Sequence, residues 1–125
     1  MNKGFTLIEL LVVIILIGIL TSLAIPRFSR TTDKAMELEA KIMLEQVQKL
    51  EEVYYLENKT YSKSLEEIGF EQQTTVDESK DGKARYKIKI VFANDSGFVA
   101  EAIPVVKGLH KYRIKEKGKP FKYGK

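Results

Sequence analysis

"KGFTLIELLVVIILIGIL", residues 3–20, is an almost unbroken hydrocarbon run with one acid, Glu9, near its start. The apolar stretch 5–25 is long enough, at ~1.5 Å per residue, to make a helix of roughly 30 Å, the thickness of a bilayer core. Its weakly polar members are Thr6, Gly18, Thr21 and Ser22; Pro26 follows, and Arg27, Arg30 and Lys34 mark a return to water. The segment reads as membrane-inserting, so the question is why it carries a carboxylate.

Three readings compete. A secretory signal peptide would use Ser22-Leu23-Ala24 as its small-x-small cleavage site. The length of the run, the acid inside it and the helical pattern beyond it argue against that. In a plain single-pass anchor, Glu9 stands about 6 Å inside Phe5 and snorkels toward the headgroups. That makes the acid tolerable without giving it a purpose.

The third reading is a resemblance. Lys3-Gly4-Phe5-Thr6-Leu7-Ile8-Glu9-Leu10, then an unbroken apolar stretch ending at Pro26, resembles the amino terminus of type IV pilins and of the pseudopilins of type II secretion, through about residue 30. The resemblance implies that residues 1–4 are a leader, cut by a membrane prepilin peptidase between Gly4 and Phe5, and that the new Phe5 amino group is methylated. It also implies that these helices bundle into a filament core. There an unpaired carboxylate is costly, and Glu9 would dock on the amino terminus of a neighbour's Phe5. Such a pair serves axial register better than it serves stability. Topology likewise comes from the resemblance: with Lys3 before the span and Arg27, Arg30 and Lys34 after it, charge alone does not put the amino terminus inside. Gly18 and Pro26 weaken the helix and leave a kink and a stretch that melts on assembly equally open.

From 27 to 57 the pattern is amphipathic. Met36, Ala40, Met43, Val47, Leu50 and Tyr54 form one stripe; Leu38, Ile42, Val53 and Leu56 form a second on the opposite side. Two apolar faces suggest two partners, the chain's own sheet and other subunits; a coiled-coil dimer is the plainer alternative. Glu37, Glu39, Lys41, Glu45, Lys49, Glu51 and Glu52 read as the solvated remainder.

Residues 58–125 read as a head. Asn58-Lys59-Thr60 ends the helix, and "TYSKSLEEIGF" (60–70) is a loop with a short turn, Ser64 and Glu67 capping it and Gly69 stopping it. This loop also resembles the one after the first helix in many pilins and pseudopilins. Tyr86, Ile88, Ile90 and Phe92 alternate with Arg85, Lys87, Lys89 and Val91 as a strand. "NDSG" (94–97) turns, 98–106 returns, and "KYRIK" (111–115) is a third strand. The tail 116–125 reads as loop. The predicted fold is α+β: a long amino-terminal helix packed on a small antiparallel sheet, pilin-like.

The remaining chemistry is sparse. There is no cysteine, and His110 is the one histidine; no nucleophile–base or paired-carboxylate arrangement is legible, and neither enzyme activity nor a cofactor is implied. Asp77, Ser79, Asp81 and Gly82 are spaced like the opening of a calcium loop, but Ile88 stands at the twelfth position, and an Asp-Gly turn is the plainer reading. Residues 107–125 hold eight Lys or Arg against Glu116, although the whole chain is only +4. Lys111, Arg113, Lys115, Lys117 and Lys119 either keep a sheet edge from pairing with strangers or contact a polyanion such as DNA or an anionic surface.

The expected function is a structural subunit of a type IV pilus-like filament. It would be anchored in the inner membrane with its head outside the cytoplasm, processed by prepilin peptidase and polymerised through its first helix. The resemblance further implies an assembly platform with an ATPase and, alongside it, minor pilins. A type II secretion pseudopilin is the alternative within the class; a membrane-tethered polyanion-binding module is the alternative from another.

Overall fold

The computed structural model describes residues 4–125, with side chains described except at 25–31. Helix α1 runs Leu7–Asn58. By its contacts the chain divides into two units, Met1–Lys34 and Ala35–Lys125.

In the first unit, Leu7–Ala24 has a mean hydropathy of 2.8 and none of it is buried. Its few polar side chains are bonded back onto the helix: Thr21 Oγ1 donates to Ile17 O at 2.7 Å and Ser22 Oγ to Ile19 O at 2.8 Å. That leaves fewer bare polar atoms to face hydrocarbon. Gly18 has open space around it. The kink or melting expected at Pro26 falls outside the described side chains, as does the leader before Gly4.

In the second unit, α1 ends where Lys59 adopts a left-handed φ of 60° and its N–H closes on Tyr55 O. Four strands follow: β1 Tyr86–Ala93, β2 Phe98–Pro104, β3 Lys111–Lys115 and β4 Phe121–Gly124. They form one antiparallel meander in chain order. Inward-facing Tyr86, Ile88, Ile90, Phe98, Ala100, Ala102, Tyr112 and Ile114 share one core with Ala40, Leu44 and Val47 of the helix. Ile68 and Phe70, from the loop after α1, close it.

Two expectations need correction. The tail is not all loop: β4 pairs with β3, with Arg113 opposite Phe121. Its Gly, Pro and Lys content disguised a strand whose order comes from pairing. Gly118 takes a φ of 93° at the turn, and Gln48 Nε2 donates to Lys115 O and Gly118 O at 2.8 and 2.9 Å. Phe92 does not face inward with Tyr86, Ile88 and Ile90. A register shift between Ile90 and Phe92 breaks the alternation and leaves Phe92 exposed.

Candidate assembly surface

At the start of α1, Thr6 and Glu9 cap the helix reciprocally. Glu9 N donates to Thr6 Oγ1 at 3.1 Å, and Thr6 N donates to Glu9 Oε2 at 3.2 Å. This is a capping box, and the T-x-x-E of residues 6–9 is its local signature, though the acid's apolar setting is the more conspicuous feature of the sequence. Glu9 therefore has work within its own chain: it fills a free donor at a helix end whose dipole favours an anion. Gly4 and Phe5 are exposed just before it. The structure thus brings Phe5 and Glu9 to one exposed helix end.

Farther along α1 the two expected stripes separate cleanly. Met36, Ala40, Met43, Val47, Leu50 and Tyr54 are buried or packed against the core. Leu38, Ile42, Val53 and Leu56 are 52–67% exposed. Beside Leu38 and Ile42 lies an open groove of about 480 Å³ whose lining includes Met43, Phe70 and Arg85. Two acids taken for solvated surface are instead buried, Glu37 and Glu51. Glu51 stands one turn beyond Val47 in the run Ala40, Leu44, Val47, so the spacing did signal its burial.

Those two acids have different surroundings. Glu37 accepts from His110 N at 3.3 Å, from Tyr112 Oη at 2.5 Å, and is 2.7 Å from His110 Nδ1. Burial pushes its pKa up, but the hydrogen bonds from Tyr112 and His110 together outweigh burial and hold it below the usual range. His110, the one histidine, is half of this contact. Glu51 accepts only Ser62 N, at 3.0 Å, and its Oε2 has no hydrogen-bond partner among the described residues. Burial, with nearby Glu67 adding to it, pushes its pKa up to about 7 despite the Ser62 N–H. Glu67 itself accepts from Ser62 Oγ at 2.5 Å and Tyr54 Oη at 3.3 Å, tying the loop to the helix.

The other predicted positions lie in the loop before β1 and along β3 and the turn after it. Asp77 accepts from the Thr75 hydroxyl, and Ser79 Oγ accepts Asp81 N at 3.3 Å. A side chain at Gly82 would lie 2.0 Å from Thr75 O, so this glycine serves a tight turn. Among the described residues no group of three or more His, Asp or Glu is arranged to hold a metal ion. Lys111, Arg113 and Lys115 occupy alternate positions of β3, with Lys117 and Lys119 in the turn after it. Arg113 is already committed: its Nε is 2.7 Å from Glu101 Oε1, and its guanidinium lies 4.2 Å from the centre of the Tyr123 ring.

The first unit thus carries an uncovered apolar helix with a capped acid at its start, and the second a helix face packed on an antiparallel sheet. Residues 1–25 match the family described as the prokaryotic N-terminal methylation motif. The chain is 41% identical over 69 residues to the type IV major pilin protein PilA of Myxococcus xanthus, covering 55% of this chain and 31% of that one. It is 33% identical over 76 residues to the type IV major pilin protein PilE of Neisseria gonorrhoeae, covering 61% and 46%. It is 64% identical over 33 residues to the type IV narrow pilus major component PilA5 of Thermus thermophilus, covering 26% and 28%. In each case the likeness spans less than half of the relative's length. Over the parts matched, the chain is similar to type IV major pilins and carries the methylation motif at its start.

Proposed function

We propose that this chain is a structural subunit of a type IV pilus-like filament. In this reading a prepilin peptidase cuts between Gly4 and Phe5, the Phe5 amine is methylated, and the chain waits as a single-pass inner-membrane protein with its head outside the cytoplasm. Assembly machinery then packs the first helices together into an extracellular filament. The observation that carries the reading is the completely uncovered apolar helix Leu7–Ala24 directly behind the methylation motif. At roughly 25 cal/mol per Å² of apolar surface removed from water, leaving lipid is tolerable only if other helices replace it. Relatives named as pilins, not secretion components, favour a pilus over a pseudopilus. Structural subunits need no catalytic group.

Once Phe5 is an amino terminus, Glu9 has a second use. Its carboxylate can turn from its own Thr6 N–H to a neighbour's Phe5 ammonium, exchanging a cap for an intermolecular ion pair. Mass spectrometry of the natural product tests processing: a chain starting at methylated Phe5 is expected, and an intact Met1 would overturn it. Electron microscopy of sheared surface fractions tests assembly, with fibres expected only when the chain is made.

A further inference from the structure

The outward face of α1 in the second unit is not uniformly apolar. At ~100° per residue, Leu38, Ile42, Glu45, Lys49, Glu52 and Leu56 fall on one seam, spaced 4, 3, 4, 3, 4, with Val53 beside it. All seven are exposed. Glu45 and Lys49 stand four apart, the separation at which opposite charges can pair within one helix. Among the described residues they do not; the ion pairs there are Arg85–Glu39, Lys87–Glu78, His110–Glu37 and Arg113–Glu101.

We propose that this seam docks on the same seam of a second, parallel copy displaced by four residues, with Lys49 of one copy paired to Glu45 of the other. The proposal rests on the filament reading above and adds the residues that set the offset. In exact register, Glu45, Lys49 and Glu52 would each meet their own kind, three repulsions along one apolar strip. A seven-residue offset sets Glu52 against Glu45. A four-residue offset, about 6 Å along a helix, sets Lys49 against Glu45, Ile42 against Leu38 and Leu56 against the stem of Glu52. Counted in residues, it equals the separation of Phe5 and Glu9. The apolar side chains supply contact area, and the charges disfavour the in-register and seven-residue alignments; a three-residue offset would pair Lys49 with Glu52 but set Glu45 against Ile42.

Because the chain has no cysteine, single cysteines report contacts cleanly. Cells making full-length Glu45→Cys together with full-length Lys49→Cys should yield sheared filaments that oxidise to a disulfide-linked pair containing one of each. Either variant alone should stay monomeric on a denaturing gel. Filaments that give no mixed pair, or in which Lys49→Cys links to Glu52→Cys instead, would overturn the offset while leaving the filament reading intact. A wild-type chain that never forms fibres would remove both. A second arm uses charge. Glu45→Lys and Lys49→Glu should each cut filament yield about threefold, the scale of one exposed ion pair, and making both chains in one cell should restore it. A pair acting within a single helix would leave each chain faulty, so failure to recover also overturns the proposal.

Discussion

Glu9 and Glu51 sit on the same helix, one in an exposed first turn with a reciprocal hydrogen bond, the other fully buried with an oxygen that has no partner among the described residues. Around Glu9 every described side chain of the helix is bare; around Glu51 one face is core. An acid on bare apolar helix costs little until the helix is covered, and then needs a cation. Glu51, beneath the folded head with one oxygen unpartnered, has already lost its water and holds its proton up to about pH 7. On the proposed filament reading, each carboxylate reports what its half of the helix is built to meet, another chain or its own sheet.

The largest expected effect breaks the first half of that comparison. Glu9→Ala should still be cut after Gly4 but should lose about tenfold or more in filament yield, since a buried, unpartnered Phe5 ammonium costs several kcal/mol. Glu9→Gln keeps the cap acceptor without the charge, so it separates the two uses: near-normal yield would mean that capping is what matters. Mass spectrometry and shearing read both outcomes.

The second test contrasts the two faces of α1. Leu44 is fully buried and Ile42 is 57% exposed. Leu44→Ala should cost ~2–5 kcal/mol of stability, whereas Ile42→Ala should stay within about 0.5 kcal/mol and act on assembly alone. Urea unfolding of the full chain in detergent, set beside filament yield, separates them. Similar losses of stability would mean that the outward stripe is covered within the chain.

Glu51 gives a pH dependence of definite sign. Its folded pKa of about 7 lies above the ordinary carboxylate value of 4.5. The folded state therefore holds the extra proton, and Glu51 contributes nothing unfavourable below about pH 4.5. Stability falls as pH rises from there through about 7, by up to about 3 kcal/mol. Glu51→Gln should flatten that slope and leave the variant the more stable at pH 8. A slope unchanged in Glu51→Gln would assign it to another group.

Much of this was legible in the sequence because periodicity and burial follow the same geometry. The stripe through Ala40 and Val47 and the alternation from Tyr86 to Ile90 turned inward as the spacing required. What was hidden depended on partners distant in the chain. Glu37 is buried by residues more than 70 positions away, β4 is a strand because β3 lies beside it, and Phe92 turns outward at a register shift. No local pattern contains that information. The Thr6–Glu9 box is the opposite case, local and readable, yet overshadowed by the acid's more conspicuous setting.

The smallest effect tests how firmly the head grips Glu37. Tyr112→Phe removes one of its donors while keeping the ring that fills the core, so a loss of about 1 kcal/mol is expected. Glu37's folded pKa is held low, so the stability it contributes is present above its unfolded pKa and lost as pH falls through the folded value. Without the tyrosine hydroxyl the folded pKa moves back toward the unfolded one, so that loss should shrink. Glu37 and Glu51 would then give opposite slopes on one helix, Glu37 destabilising on acidification and Glu51 on alkalinisation. Melting the double variant Glu51→Gln with Tyr112→Phe should show no alkaline slope and only a diminished acid-side one. If the alkaline slope survives there, the buried orphan oxygen is not its source, and the contrast between the two ends of this helix loses its second member.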